Sequence, residues 1–453
     1  MELPNYFLAD LPPEAELSGG MIIEACAALK RNRERYLAGR PTSALIKTLA
    51  DVAAEYFQPD NEIWNHVREE GPARTGFSRT TLVQGLDRFF AEITRENLQK
   101  LLLQDLGHLN RLDEMCANDV EQRSSNGSMA RSPELLVHIS GGMLPNPIFT
   151  SMLLGALARS AQFIKCASGS AFLPRMFAHA IYKVDPKLGA TIEVAEWKGG
   201  REELETPLFA EAECITATGS DAALKAVRNR LPDGVRLLGY GSRVSFAFVT
   251  HEMLGKMNAP RIVSRAAQDV SAWNQLGCLS PHLIYVEVGG EMTPQLFAEQ
   301  LGRELEKIEG SNPRGEISLE EAADISARRS FFEVRAAFSG DTKVYASPDS
   351  TAWTVIYDAD PLFQLSCLNR FIYVKPVASL DQLLENADKH RRQVSTVGLA
   401  APEHRAQKIA TELARWGVSR ICPLGKMQEP PLTWRHDGRP ALGDLITWAD
   451  WEL

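Results

Sequence analysis

Two short metal-binding patterns, CxxC and HExxH, are absent from the sequence, and its seven cysteines are scattered along 453 residues. Their odd number argues against a disulfide framework and favours reduced thiols in a cytoplasm, and the missing patterns leave a zinc site without support. The sequence also has no apolar run near the roughly 20 residues that span a bilayer. Its first residues lack the basic and apolar regions of a signal peptide. We therefore expect a cytoplasmic protein with no metal site and no transmembrane segment.

Basic residues are also in the minority. Lys and Arg number 49 against 58 Asp and Glu, the formal charge is −9, and no long basic block occurs. Since proteins that bind nucleic acid cluster Lys and Arg to neutralise phosphates, nucleic acid is not an expected partner. The 44% of hydrophobic and 24% of charged residues are ordinary for a globular protein, and the length is sufficient for two or three domains.

The two common glycine-rich nucleotide fingerprints are missing as well. No GxGxxG occurs, the nearest approach, "LGYGSRV", lacks the third glycine, and no GxxxxGK[ST] is present. These absences count against a standard Rossmann dehydrogenase and against a P-loop NTPase. A pyrophosphate can still bind at the N-terminus of a helix, because the free amides and the helix dipole attract anions.

What the sequence does contain is an alternation of strand and helix patterns. Apolar residues recur at helical spacing before Gly107, and a polar, turn-rich stretch over 116–133 predicts a loop or a domain boundary. Predicted strands then alternate with helices, and the clearest strands are "LLVHIS", "QFIKCAS", "ATIEVAEW", "CITATGS", "HLIYVEV", "TAWTVIYDA" and "RFIYVKPV". This alternation is typical of βαβ units and a parallel sheet. The tail is rich in proline and tryptophan, and we expect it to pack against another surface.

Two stretches offer candidate binding residues where predicted strands end. In "FIKCASGS", Lys165 and Ser168 follow a strand, and residues at the carboxyl ends of parallel strands can meet a ribose or its phosphate. The alternative is a solvated surface lysine. In "TATGSDAALKAV", Gly219 permits close approach of a ligand and Ser220 caps the following helix, although an ordinary capped helix is the alternative.

Cys278 lies in "WNQLGCLSPHLIYVE", where a helical pattern gives way to a glycine-flanked turn and then to an apolar run. Such a turn can expose the sulfur, and its backbone amides can stabilise an oxyanion. His282 is near enough in sequence to tune the thiol pKa, with local hydrogen bonding at the start of the strand as the alternative. The other six cysteines lie in apolar or helical contexts and are expected to be inert: Cys26, Cys116, Cys166, Cys214, Cys367 and Cys422.

Several of these stretches together resemble one family. They are "HISGGMLPNP", "IKCASGS", "ATGSDAALKAV", "LLGYGSRVSFAFV", "QLGCLSPHLIYVE" and "CPLGKMQEPPLTWRHDGRPALGDLITW". They resemble the acyl-CoA reductases, which are relatives of the fatty acid reductase of bacterial luminescence and belong to the aldehyde dehydrogenase superfamily. The resemblance runs from about residue 85 to the end, and the stretch around Cys278 is its most specific part.

The resemblance implies an aldehyde dehydrogenase-like α/β fold, with a Rossmann-like cofactor domain, an α/β catalytic domain and a small oligomerisation element. The expected parts are a mainly helical N-terminal part of the cofactor domain over 1–115, a Rossmann-like NADP-binding core over 116–247, a catalytic domain over 248–424, and a tail over 425–453 that contacts another subunit. A homo-oligomer is expected on the same grounds.

The resemblance also implies site residues and a cofactor. Cys278 matches the family nucleophile that attacks an acyl thioester, and Lys165 matches the lysine that contacts the adenine ribose of the cofactor. Ser168 falls where ordinary aldehyde dehydrogenases carry a glutamate, and a serine there permits the 2′-phosphate of NADPH. Gly219 and Ser220 match the segment over which the pyrophosphate lies.

Three departures from the superfamily pattern bear on the chemistry. The region 237–247 contains no carboxylate, whereas hydrolytic aldehyde dehydrogenases carry a glutamate there that activates water. Without that base the acyl-enzyme is expected to persist for a thiol or a hydride. Met143 falls at the position of the oxyanion-donating asparagine, a donor worth about 3 kcal/mol, so either Asn146 or backbone amides replace it or the activity is altered. Ser366 falls near the expected nicotinamide-ribose glutamate.

The expected function is therefore NADPH-dependent reduction of an acyl-CoA, with a fatty acyl group, to the aldehyde. One alternative is a reductase of acyl groups held on a carrier protein, although the acidic charge of the chain counts against an acidic carrier. Another is a non-catalytic partner subunit with the same fold, which Met143 favours. A fatty-acid-activating enzyme is a further candidate partner, by analogy with the luminescence systems.

Overall fold

The computed structural model describes residues 3–12 and 14–452. The chain divides into two compact units, which are described separately. The first unit comprises Met1–Thr75, Leu86–Gly241 and Pro431–Leu453. The second comprises Gly76–Gly85 and Ser242–Pro430.

The first unit is built on a parallel sheet. Its strands, numbered in chain order, are β1 (Asn126–Arg131), β2 (Leu135–Ser140), β3 (Ala161–Cys166), β4 (Ile192–Glu196), β5 (Cys214–Thr218), β6 (Arg236–Tyr240) and, at the end of the chain, β14 (Thr447–Glu452). Five of them form the sheet in the order β4-β3-β2-β5-β6, and every neighbouring pair is parallel. The chain moves outward from β2 to β4 and then returns to the other side of β2. The strand order therefore reverses between β2 and β5, which is where open α/β sheets bind ligands.

Helices pack around this sheet. They are α1 (Gly19–Tyr36), α2 (Thr42–Tyr56), α3 (Glu62–Thr75), α4 (Arg79–Glu92, whose first turns belong to the second unit), α5 (Arg95–Leu106), α6 (Asp119–Arg123), α7 (Pro145–Leu157), α8 (Phe172–Val184), α9 (Pro186–Gly189), α10 (Glu202–Glu211) and α11 (Asp221–Arg228). One buried apolar cluster joins α1 and α10 to β2 and β3. As predicted, α5 ends at Gly107, which adopts the left-handed conformation.

The second unit is a larger sheet with helices on both faces. Its strands are β7 (Val244–Val249), β8 (Pro281–Glu287), β9 (Thr342–Ala346), β10 (Thr354–Asp358), β11 (Phe371–Val377), β12 (Val394–Ala400) and β13 (Arg420–Pro423), in the order β13-β12-β7-β8-β11-β10-β9. Only β9 runs antiparallel to its neighbour. Its helices are α12 (Ala259–Ser271), α13 (Pro294–Ser311), α14 (Leu319–Phe338), α15 (Leu380–Ala387) and α16 (Glu403–Trp416).

Both faces of this second sheet are buried. Apolar residues of α12 and α13 cover one face, and those of α14, α15 and α16 cover the other. A parallel sheet needs this double cover, because its strands are apolar on both sides. This explains why predicted strands such as "HLIYVEV" and "RFIYVKPV" are nearly continuous apolar runs.

The prediction of a loop over 116–133 is wrong. The stretch contains α6 and strand β1, and β1 pairs antiparallel with β14 in the tail, from Asn126 opposite Glu452 to Arg131 opposite Thr447. The sequence "NGSMAR" has little strand propensity of its own, so pairing with a distant segment decides its conformation. The tail therefore packs within its own chain, where β14 leaves Trp451 53% exposed.

Among the described residues, no helix combines the length and the apolar character needed to cross a membrane.

A buried carboxyl group in the first unit gives a prediction about stability. Burial raises the pKa of Glu193, on β4, from 4.5 to about 7, although Leu8 N–H donates to its Oε1 at 2.6 Å. The folded protein therefore keeps a proton that the unfolded chain loses above pH 4.5. Stability should fall as the pH rises through this window and level off above pH 7, by up to about 3 kcal/mol.

Glu193→Gln should remove this loss of stability at high pH, because the glutamine side chain does not titrate between pH 4.5 and pH 7. The measurement is urea unfolding at pH 5 and pH 8 of the variant and the wild type. The matched control is Glu203→Gln on the exposed side of α10, which should keep the wild-type difference between the two pH values. A Glu193→Gln protein with that same difference would contradict the assignment.

Candidate active site

Cys278 lies in the predicted kind of turn. A short 3-10 helix, Ala272–Gln275, precedes it, and β8 begins three residues after it. The side chain is half-buried. Ser280 N–H closes the turn by donating to Gly277 O at 2.9 Å, and Ser245 Oγ on β7 donates to Cys278 O at 2.7 Å. Ser245 comes from the stretch 237–247, which contains no carboxylate.

The backbone before the cysteine adopts an uncommon conformation. Trp273, Asn274 and Gln275 have φ values of 50°, 52° and 65°, in the left-handed region that residues other than glycine rarely adopt. Each such residue costs of the order of 1–3 kcal/mol and persists only where its surroundings hold it. All three are buried. This strain ends three residues before the sulfur.

The side chain of Gln275 helps to stabilise this strained backbone. It is fully buried, and its Nε2 donates to Pro281 O at 2.7 Å and to Phe371 O at 2.9 Å. Those carbonyls belong to the first residues of β8 and β11, which are parallel neighbours. A third contact, to Ser366 Oγ, is longer at 3.3 Å. One amide thus joins the cysteine turn to the amino ends of two strands.

A second left-handed run precedes β11. Residues 368–370 have φ values of 62°, 54° and 63°. The last of them, Arg370, is fully buried and donates to Asn274 Oδ1 at 3.2 Å, to Asn312 O at 3.0 Å and to Glu309 Oε2 at 2.8 Å. The two strained runs therefore support each other through a buried guanidinium.

His282 is engaged locally. Its Nδ1 accepts a hydrogen bond from Ser366 N–H at 3.2 Å. Burial lowers the pKa of His282 to about 4, so the ring is neutral near pH 7 and brings no positive charge to the turn. Ser366, where the resemblance places a glutamate, is itself buried, and its Oγ accepts from Leu368 N–H at 2.9 Å.

The other cysteines differ from Cys278 in their surroundings. All seven are free thiols, four are buried, and two, Cys116 and Cys367, are half-buried. Burial raises the pKa of each of the six thiols: to about 12 for Cys26, Cys166 and Cys422, to about 11 for Cys214 and Cys367, and upward for Cys116. These thiols are poor nucleophiles near neutral pH.

The predicted binding residues of the first unit share one edge of its sheet. Lys165 lies at the end of β3 rather than beyond it, and Ser168 is exposed in the loop that follows. Gly219 and Ser220 follow β5, and Ser220 caps α11 as predicted by accepting from Ala223 N–H at 3.2 Å. These are carboxyl ends of strands on either side of β2, beside the reversal in strand order.

Close backbone packing marks the same edge. Gly141, after β2, donates its N–H to Thr218 O on β5 at 3.1 Å, and a Cβ at Gly141 would lie 2.8 Å from that oxygen. The loops after β2 and β5 therefore approach each other without side chains between them. With Lys165 and two exposed serines nearby, this edge fits an anionic dinucleotide without the GxGxxG fingerprint.

Lys165 is buried beside the ring of Trp197. It is 5% exposed, and its Nζ lies 5.6 Å from the centroid of the Trp197 ring. Burial lowers the pKa of Lys165. The carboxylate of Glu196 lies beside the Ser168 loop, where it accepts from Gly169 N–H at 2.8 Å and Ala171 N–H at 2.9 Å. These two hydrogen bonds hold the Glu196 carboxylate against the loop.

The loop after β2 contains the predicted oxyanion region. Met143 lines a small pocket with Ser140 and Ser170. Asn146 lies in the first turn of α7, where its Oδ1 is buried and accepts no hydrogen bond from the described residues. Its amide nitrogen is the group that could donate to an oxyanion.

One group of possible metal ligands exists among the described residues. His251, Glu252 and Glu287 present ligand atoms within 4.8 Å of one another. Arg405 donates to Glu252 at 2.7 Å and to Glu287 at 2.9 Å, so a guanidinium already supplies the positive charge between the two carboxylates. This group is an ion-pair network.

Comparison with known proteins identifies the family. A sequence model described as "Acyl-CoA reductase (LuxC)" matches residues 37–448, which is most of the chain. The chain belongs to this family. The match confirms the resemblance inferred from the motifs around Cys278 and in the tail.

Two curated members of known name are similar to the chain. The "Long-chain acyl-protein thioester reductase 2" of Photobacterium leiognathi is 25% identical over 320 residues, which cover 70% of the chain and 63% of that protein. The "Long-chain acyl-protein thioester reductase" of Vibrio harveyi is 23% identical over 319 residues, which cover 70% and 64%. The match thus spans less than two thirds of these relatives.

Solved structures confirm the predicted fold class. The NAD-dependent benzaldehyde dehydrogenase of Corynebacterium glutamicum superposes with a TM-score of 0.69 at 13% identity, covering 97% of the chain and 91% of that protein. The chain therefore has an aldehyde dehydrogenase-like α/β fold.

Sequence reasoning missed several residues around Cys278. Gln275, Ser245 and Arg370 hold the turn, and Gln428 contacts it from the segment "GKMQEPP". Three of the four lie in stretches that carry the family resemblance. The sequence thus marks the stretches but not which side chains contact the turn.

Proposed function

We propose that the chain reduces an acyl thioester to the aldehyde, using NADPH and an acyl-enzyme on Cys278. The observation that supports this most strongly is the contact between Ser245 and the Cys278 carbonyl at 2.7 Å. This contact supports the proposal because Ser245 comes from the stretch 237–247, which has no carboxylate. Hydrolysis of an acyl-enzyme needs a base to activate water. An acyl group on Cys278 should therefore outlast attack by water and be available for reduction.

The proposed reaction has two stages. The Cys278 thiolate attacks the acyl carbonyl, a sulfur–carbon bond forms, and the original thioester bond breaks to release coenzyme A as its thiol. NADPH, when bound, supplies the hydride for the second stage. After a proton reaches the oxygen, the thiohemiacetal on Cys278 collapses: its carbon–sulfur bond breaks, the aldehyde leaves and the thiol is restored.

Other residues have proposed roles in binding and stabilisation. Lys165 and Ser168 bind the adenosine ribose and its 2′-phosphate, and Gly219 and Ser220 bind the pyrophosphate. Asn146 donates to the oxyanion, because Met143 has no donor. His282, neutral near pH 7, orients the turn through Ser366.

The names of the curated relatives favour a second acyl donor. Both are called acyl-protein thioester reductases, so the acyl group could arrive on a protein thiol instead of coenzyme A. The chemistry at Cys278 would be the same, since only the leaving thiol differs. A homo-oligomer and a fatty-acid-activating partner are further proposals from the family resemblance. A non-catalytic subunit, which Met143 favours, is the third candidate.

Aldehyde formation with matched donors tests these alternatives. The same long acyl chain is offered as acyl-CoA and as a carrier-protein thioester, each with NADPH or NADH. We expect aldehyde from acyl-CoA with NADPH, and a lower KM for NADPH than for NADH. Aldehyde from the protein thioester alone would identify the second donor. No aldehyde from either donor, together with no NADPH binding, would show a non-catalytic subunit.

A further inference from the structure

We propose that Gln428 is a positioning residue that fixes the turn of Cys278 for acylation. The inference deepens the proposed function and rests on Cys278 as the nucleophile. Gln428 comes from the loop after β13 and is distant in sequence from the cysteine. It touches the turn on both sides of the sulfur, through Gly277 and Ser280.

The side-chain amide of Gln428 contacts the turn closely. Its Nε2 donates to Ser280 Oγ at 2.6 Å. A Cβ placed on Gly277 would lie 3.0 Å from Gln428 Oε1 and 3.1 Å from Nε2, so the amide lies directly against the glycine. Ser280 is 1% exposed and Gln428 is 8% exposed. Both contacts are therefore shielded from water, where a hydrogen bond holds its geometry more strongly.

Two buried charged side chains, Asp269 and Arg420, form hydrogen bonds with the backbone of the loop that carries Gln428. Asp269, on α12, accepts from Gly425 N–H at 2.5 Å and from Met427 N–H at 2.9 Å. It is 2% exposed. The neighbouring backbone amides are thus fixed immediately before Gln428, which limits the movement of its side chain.

Arg420, on β13, holds the same loop through its carbonyls. It donates to Met427 O at 2.6 Å, to Lys426 O at 2.8 Å and to Glu429 O at 3.3 Å, and it is 8% exposed. These hydrogen bonds restrict the backbone of the loop that carries Gln428, and the Gln428 side chain contacts the cysteine turn at Ser280.

The contacts of Gln428 bear on the conformation of the turn around Cys278. A side chain at residue 277 would crowd Gln428, because its Cβ would lie 3.0 Å from Gln428 Oε1 and the amide would have to move by a few tenths of an ångström. The strained run at 273–275 fixes the turn on its N-terminal side, and Gln428 fixes it on the C-terminal side. A nucleophile misplaced by about 1 Å can lose about a hundredfold in rate. Loss of Gln428 should therefore lower the acylation rate while the melting temperature stays nearly unchanged.

The test uses the full-length protein and three variants: Gln428→Met, Ser280→Ala and the double variant. Iodoacetamide labelling of Cys278, followed on its peptide by mass spectrometry, reports the thiol without any acyl donor. We expect each single variant to lower the labelling rate and kcat about tenfold, with the KM for NADPH within twofold and the melting temperature nearly unchanged. The double variant should be no slower than the slower single variant, because both changes remove the same contact.

The matched control is Gln407→Met, on the exposed surface of α16. It should keep the wild-type labelling rate and kcat. Wild-type labelling rates in Gln428→Met and Ser280→Ala would overturn the proposal, and so would effects that multiply in the double variant. Failure of the proposed function looks different: wild-type protein would label at Cys278 but form no aldehyde from any thioester.

Discussion

Cys278→Ala should abolish aldehyde formation, with kcat at least about a thousandfold below wild type, because removal of a covalent nucleophile leaves only the residual effects of binding. The binding of NADPH should be unchanged, since the proposed cofactor residues lie on β3 and in the loops after β3 and β5. Stopped-flow or steady-state measurement of NADPH consumption gives the rate, and fluorescence titration gives the cofactor affinity.

The matched control for this prediction is Cys116→Ala. Cys116 is also half-buried, and burial raises the pKa of its thiol. Its loss should leave kcat within about twofold of wild type. If Cys278→Ala retained the wild-type rate, while Cys116→Ala lost it, the nucleophile would be misassigned.

The second large effect concerns stability. Arg370→Met should destabilise the protein by about 3 kcal/mol, because each buried hydrogen-bond acceptor left without a donor costs about 1–3 kcal/mol. Arg370 is fully buried, and its loss leaves Asn274 Oδ1 and Asn312 O without their donor. Glu309 would also lose its cation. The midpoint of urea unfolding measures the change.

A surface arginine provides the comparison. Arg303 pairs with Glu299 one turn away on α13, where its side chain is 62% exposed. Exposed pairs of this kind contribute less than about 1 kcal/mol, so Arg303→Met should leave the unfolding midpoint almost unchanged. Equal midpoints for Arg370→Met and Arg303→Met would show that the buried network does not hold the two left-handed runs.

Much of the fold can be predicted because many of its strands and helices have clear local sequence patterns. The predicted strand "LLVHIS" is β2, and the stretch "LEEAADISARRSFFEVRAAF", which has helical periodicity, is α14. Both follow from apolar runs or helical periodicity bounded by caps and turns. Strand β1 could not be predicted, because "NGSMAR" becomes a strand only by pairing with β14 more than three hundred residues later.

The candidate site also has a part that the sequence predicts and a part that it does not. A cysteine in a glycine-flanked turn before a strand is a local pattern, and the structure has that turn at Cys278. The side chains that support the turn depend on tertiary contacts. Gln428 meets Ser280, and Arg370 meets Asn274, only because the parallel strands and the loop after β13 bring them together. No spacing in the sequence encodes these pairs.

The central claim is that Cys278 carries the acyl group. The direct measurement is a mass spectrum of the intact and digested protein after mixing with a long-chain acyl-CoA, before and after NADPH is added. The proposed function predicts one acyl adduct, located on the Cys278 peptide and removed by NADPH with release of aldehyde. An adduct on another residue, or aldehyde formation with Cys278 never acylated, would contradict it.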